Sequence, residues 1–175
     1  MFKPVASSDR HASFVPLLLA ACALLCAACA RYGATPTPQL KIVKEAEHSN
    51  GLKVGVPEGF EAKQTGDGFV IEPSGNKNLE VRYPVVASVS FIKGADAPDG
   101  AGLQTKSVGG REVRYRVSKG EGGSGGETYT LNVFERVPGG HIEYSQSMQS
   151  DAGEPDFALG WTLVGSTKHQ QPGNN

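Results

Sequence analysis

The side chains best equipped for chemistry fall into a few groups. Cys22, Cys26 and Cys29 are the chain's three cysteines, and a thiol trio can bind metal, exchange disulfides or carry a covalent group. Gly122-Gly123-Ser124-Gly125-Gly126 matches Gly-x-Ser-x-Gly, the pattern that exposes a serine nucleophile on a strained strand-to-helix turn. His141 and Glu143 stand two apart, which puts both on one face of a strand, where they could exchange a proton or hold a metal. Asp96-Ala97-Pro98-Asp99-Gly100 brings two carboxylates into one turn, as calcium loops do.

Chemistry needs positioning, and the surroundings of these groups withhold it. A serine elbow requires a buried strand before it and a helix after it. Here Lys119 and Glu121 precede Ser124 and the strand-patterned Thr128 to Phe134 follows, so the segment reads as a flexible hairpin loop. His141 and Glu143 lack a third ligand and read as titratable groups on the wet face of a sheet. Pro98 breaks the ligand order a calcium loop needs, and Asp, Pro and Gly together describe an ordinary turn. Glu112, Arg114 and Arg116 form a charged stripe opposite Val113, Tyr115 and Val117, with Glu135 and Arg136 close by. Such a stripe is the solvated side of paired strands, or a surface for a protein partner. Phe157 and Trp161 read as core. No catalytic residue, metal site or cofactor is expected.

The cysteines have a better explanation. Lys3 and Arg10 precede an apolar run from Phe14 to Ala30 that holds no acidic residue, the charge pattern of a secretory leader. Small residues precede two of the thiols, in Leu19-Ala20-Ala21-Cys22 and Cys26-Ala27-Ala28-Cys29, as in the acylation box of bacterial lipoproteins. Zinc sets need four ligands, and with no later Cys there is nothing downstream to pair with. Cys29 is favoured as the lipidated residue because it gives the longer apolar run and a polar tether; Cys22 is the alternative. Ala follows both, and the aspartate that retains lipoproteins at the inner membrane is absent. The expectation is a periplasmic protein held by lipid at the outer membrane's inner leaflet, touching membrane through that lipid only.

The expected organisation is a leader over 1–28, a lipidated tether over 29–39, one β-rich domain over 40–168 and a disordered polar tail over 169–175. The net charge of −1 and the lack of a basic run exclude a nucleic-acid binder. Period-two alternation marks half-buried strands at Leu52–Val56, Phe69–Glu72, Leu79–Tyr83, Val85–Phe91, Val113–Val117, Tyr129–Val133 and Ile142–Met148. Glycine turns at Val108-Gly109-Gly110, Lys119 to Gly126 and Pro138-Gly139-Gly140 join them, giving a meander from Arg111 to Ser150. Phe157, Trp161 and Val164 recur at helical spacing, and Pro155 suits a first turn, so a helix is predicted over Pro155–Ser166. The fold class is α+β: a mostly antiparallel meander with one C-terminal helix packed on the sheet.

Gly51-Leu52-Lys53-Val54-Gly55-Val56-Pro57-Glu58-Gly59-Phe60, the later Gly109-Gly110-Arg111-Glu112-Val113-Arg114-Tyr115 and the closing Phe157–Ser166 segment resemble a family of small envelope lipoproteins. Those act as immunity proteins in bacteria with a type VI secretion system and protect against a muramidase effector. The resemblance covers nearly the whole mature chain. It implies a lipid-anchored inhibitor that binds a secreted peptidoglycan-degrading enzyme and occludes its groove. The candidate contact loops are then Gly122, Gly123, Ser124 and Gly125 on one turn and Gly139, Gly140 and His141 on another, since loops on a rigid sheet carry function. The Gly51–Phe60 opening also resembles PsbP-like proteins, which implies the alternative of an accessory or ligand-binding envelope lipoprotein.

Overall fold

A computed structural model describes residues 39–75, 86–121 and 126–170. Among them, ten strands form two antiparallel sheets with one helix, as the α+β reading requires. The seven-stranded sheet has the order β3-β4-β5-β9-β8-β7-β6 and the three-stranded sheet the order β1-β2-β10. In chain order these are β1 (Ile42–Glu47), β2 (Leu52–Pro57), β3 (Phe60–Gln64), β4 (Gly68–Pro73), β5 (Val86–Lys93), β6 (Gln104–Val108), β7 (Arg111–Glu121), β8 (Glu127–Val137), β9 (Gly140–Ser150), α1 (Ala158–Ser166) and β10 (Lys168–His169).

The alternating residues lie where their period requires. Val113, Tyr129, Leu131, Val133, Ile142, Tyr144, Val89, Ala87, Phe69 and Ile71 form one buried face of the large sheet. Leu52 and Val54 of β2, Phe157 just ahead of α1, and Leu159, Trp161, Leu163 and Val164 from α1 complete the same core. The meander runs β6-β7-β8-β9, and β9 then pairs with the much earlier β5, Phe91 opposite Ile142. The expected strand Leu79–Tyr83 lies outside the described residues. Four strands that alternation does not reveal are present: β1, β3, β6 and β10.

The helix begins at Ala158, three residues later than Pro155. Phe157 is the reason. Its φ of 52° makes it the one non-glycine residue among those described with a left-handed backbone, and its ring is buried. That conformation cannot continue a helix backwards, so Pro155 sits in the approach instead. The Asp156 carboxylate accepts the Ala158 N–H at 3.0 Å, satisfying one of the helix's free donors. A second donor, the Gly160 N–H, bonds the buried Gln146 Oε1 at 2.6 Å. A Cβ at Gly160 would stand 2.8 Å from that oxygen and 3.0 Å from Leu131 Cδ2, so glycine sets the close approach of helix to sheet.

Both chain ends of the domain are tied in. The Leu40 N–H donates to Thr162 Oγ1 at 2.7 Å. Lys168 and His169 pair with Lys53 and Leu52, and the His169 ring stacks on Phe91 at 4.0 Å. The polar tail therefore does not start at His169 as expected; that residue closes the small sheet, because its ring finds an aromatic partner. No helix among the described residues is long and apolar enough to cross a membrane.

Candidate functional site

The helix and the small sheet pack on one face of the large sheet. The opposite face carries the charged stripe. One row runs across six strands: Arg116, Asn132, Ser145, Ser88, Val70 and Lys63. A neighbouring row is Arg114, Phe134, Glu143, Ser90 and Gly68, and a third holds Ser118, Thr130, Ser147 and Val86. Thr130 and Ser147 hydroxyls bond across the strands at 2.8 Å. Apart from Phe134, the centre of this face is short, polar and half-exposed, and Arg116 stands exposed toward one side of it on β7. Among the described residues Arg116 has no ion-pair partner. A flat sheet surface with short hydroxyl and amide groups and one free guanidinium suits contact with another protein better than capture of a small molecule.

One end of this face is covered. The connection from Gly94 to Leu103 folds back over it: Ala97 is buried, and the Ala95 carbonyl lies 3.1 Å from His141 Nδ1. Asp99 bridges Arg114 at 2.5 Å and Arg136 at 3.5 Å. Thus the two-carboxylate turn serves as a strap, with Asp99 as its clasp. It covers His141, and beside it Phe134, the aromatic residue of these rows, is 5% exposed. His141 is 5% exposed. It is not on a wet face, and it is unavailable as a contact residue, because the strap provides its hydrogen bond and Phe134 lies beside it with ring centroids 6.4 Å apart.

Glu135 likewise departs from expectation. It occupies the core register after Tyr129, Leu131 and Val133, and is 5% exposed. Its Oε1 takes an ion pair from Arg111 Nη1 at 2.7 Å and its Oε2 accepts the Tyr144 hydroxyl at 2.8 Å. Arg111 also donates through Nη2 to the Val164 carbonyl near the end of α1, satisfying a helix C-terminal acceptor. Burial first, and the Glu135 charge second, push the Tyr144 hydroxyl well above its usual pKa, so it remains a donor.

The Gly139 turn and the residues that flank the other expected contact turn lie at opposite ends of β8. Gly139 and Gly140 lie at the end of β8 where the strap sits, whereas Glu121 and Glu127, which flank the other turn, lie at its opposite end. The length of β8 separates them by about 30 Å at ~3.3 Å per residue. Gly122, Gly123, Ser124 and Gly125 themselves are outside the described residues, as are Cys22 and Cys29. Of the described turn, Gly139 is exposed with φ 83°, while a Cβ at Gly140 would stand 2.1 Å from the Ile92 carbonyl oxygen. Among the described residues no cluster of His, Cys, Asp and Glu could hold a metal.

Beside the outlying turn, Glu127 accepts from Lys119 Nζ at 2.5 Å and from the Tyr129 hydroxyl at 2.5 Å. These bonds, Lys119 first, hold its pKa below the usual carboxylate value. A depressed folded value means stabilisation that is complete above the unfolded pKa and disappears as pH falls through the folded one. The amide protection factors at Tyr129 and Lys119, corrected for the intrinsic pH dependence of exchange, are therefore expected to fall as pH drops through that window in the native chain and to lose this pH dependence in Glu127→Gln.

Residues 53–168 match the family described as the type six secretion immunity 3 domain. A Pseudomonas aeruginosa protein named immune protein Tsi3 is 36% identical over 150 residues, covering 86% of this chain and 94% of that protein. A crystal structure from Bacteroides thetaiotaomicron aligns at a TM-score of 0.52 with 12% identity over 74% of this chain. The chain spans 49% of that structure, a likeness of fold alone.

Proposed function

This chain belongs to the type six secretion immunity 3 family, and on that premise we propose that it neutralises a cell-wall-degrading, muramidase-type effector in the periplasm. Membership makes it an immunity protein whose partner is a cognate secreted effector. The finer reading adds the compartment, the anchor at Cys29 (or Cys22) in the outer membrane's inner leaflet, and the target. The likeness to an immune protein along nearly the whole chain carries the reading, and the lipoprotein-type leader supports it.

The mechanism is occlusion. A muramidase works in a groove that must admit a glycan strand between two carboxylates, so an inhibitor need only fill or cap that groove. The free face of the large sheet supplies a broad surface, with Ser145 on its central strand, Arg116 toward one side on β7 and the Gly139 turn at its rim.

The test pairs the chain with the product of the neighbouring gene. Co-expression in the periplasm is expected to prevent lysis, and the two proteins to co-purify. Arg116→Glu combined with Ser145→Arg should weaken binding by about 30-fold, the ~2 kcal/mol of an interface hot spot. Undiminished binding by that variant would move the interface off this face. Failure of the native chain to rescue cells from any periplasmic toxin would sink the reading altogether.

A further inference from the structure

The large exposed hydrophobic residues of the described chain are Ile42 and Val43, at 37% and 50% exposure. They are adjacent, on β1, the first strand after the N-terminal segment and an edge of the small sheet. Neighbours in a strand normally point to opposite faces. Here the β1–β2 register shifts between Ile42 and Lys44, so Val43 is the extra residue of a bulge. A bulge re-aims side chains and blunts an edge against strand addition. The backbone edge is thereby closed to a new strand while two apolar side chains stay in the open.

Lys41 and Lys44 flank the pair, both exposed. The acidic residues around it are each engaged: Glu58 with Lys41 at 3.4 Å, Glu47 with Lys53 at 3.2 Å and Glu45 with Lys168 at 3.6 Å. Lys44 has no ion-pair partner among the described residues. An apolar pair carrying net positive charge is the chemistry of a protein surface that rests in the boundary between acyl chains and anionic headgroups. Chain length supplies the occupant. The dozen or so residues between Cys29 and Ile42 span at most about 45 Å, so a lipid on Cys29 keeps β1 permanently beside a bilayer.

We propose that Lys41-Ile42-Val43-Lys44 is a membrane-surface contact that lays the small sheet on the bilayer. This rests on the lipid-anchored reading and goes beyond it: the anchor alone lets the domain tumble, whereas the patch fixes its orientation. Because the small sheet packs on the covered face of the large sheet, contact through β1 turns the large sheet's free face away from the bilayer.

The experiment uses the full chain, processed in cells, with a nitroxide on Val43→Cys or on Ser147→Cys, in vesicles of phosphatidylethanolamine and phosphatidylglycerol. Mass spectrometry first reads acylation at Cys29. The expected result is a ratio of oxygen to nickel-chelate accessibility several-fold higher at residue 43 than at residue 147. Adding Ile42→Ser and Val43→Ser to a chain labelled at Lys44→Cys should abolish the depth signal there. Equal ratios on an acylated chain overturn the patch and leave the anchor standing. An unacylated chain that washes off the vesicles overturns both. Dipolar broadening between labels at residue 43 would assign the patch to a second copy and overturn the membrane contact.

Discussion

Arg111→Ala is expected to destabilise the domain by about 3 kcal/mol, a fall in Tm on the order of 10 °C. The substitution leaves the Glu135 carboxylate, whose side chain is only 6% exposed, facing the core without a counter-charge. It also frees the Val164 carbonyl near the end of α1. Two comparisons separate charge from packing. Tyr144→Phe removes one neutral donor and should lose about 1 kcal/mol. Arg111→Met with Glu135→Leu removes both charges and fills the space, and should recover most of the loss, because a buried pair is worth far less than the harm done by breaking it. Thermal unfolding of the set decides the matter. If Arg111→Ala melts within a degree or two of the native chain, solvent reaches Glu135 and the network is not a structural one.

Gly140→Ala is expected to be nearly as damaging, about 3 kcal/mol, while Gly139→Ala next to it loses about 1 kcal/mol. The difference is spatial. At Gly140 a Cβ would lie 2.1 Å from the Ile92 carbonyl oxygen and 3.1 Å from Phe91 Cε2. Ile92 is backbone in the β5–β9 ladder, so relief means parting the pairs Lys93–Gly140 and Ile92–His141. Gly139 has φ 83° and an exposed position, and its substitution meets only the strain of a left-handed conformation. Chemical denaturation of the two variants should show a midpoint loss at least twice as large for Gly140→Ala. The glycine pair read as one contact turn is thus a structural glycine beside a surface glycine.

Alternation located β2, β4, β5, β7, β8 and β9 because each buries one face on a common core. The strands it missed lack that signature. β6 reads Gln104-Thr105-Lys106-Ser107-Val108 and lies at the sheet's edge; only its last residue, Val108, is a buried apolar one, and the half-buried Lys106 sets its ammonium 4.0 Å over the Trp161 ring. β1 is bulged, so its apolar residues are adjacent rather than alternating. β10 is two residues long and exists only because β2 is there to receive it. The pairing of β5 with β9 joins segments far apart in sequence, where no turn announces it.

The candidate site was partly legible. The Glu112-Arg114-Arg116 stripe lies on the free face as its register requires. Two residues break register in β8, and each break carried information. Phe134 places an apolar ring among polar neighbours, which signals a cover, and it is buried beside His141, to which the strap is bonded. Glu135 places a carboxylate in line with Leu131 and Val133, which signals a buried partner, and Arg111 is that partner. Turn positions were legible too: successive turns of a meander alternate between ends, and Glu121 and Glu127 do lie at the opposite end of β8 from Gly139 and Gly140.

The bond from the Leu40 N–H to Thr162 Oγ1 has a mechanical consequence. A pull on the N-terminal segment would reach the fold at two joints together, the β1–β2 ladder and the middle of α1. A load drawn along β1 shears its row of hydrogen bonds in parallel instead of peeling them one after another. The helix end of that load path is seated in the core by Leu163 and Val164, both fully buried. Force arriving through the N-terminal segment would therefore be spread across both layers of the domain before any single strand yields.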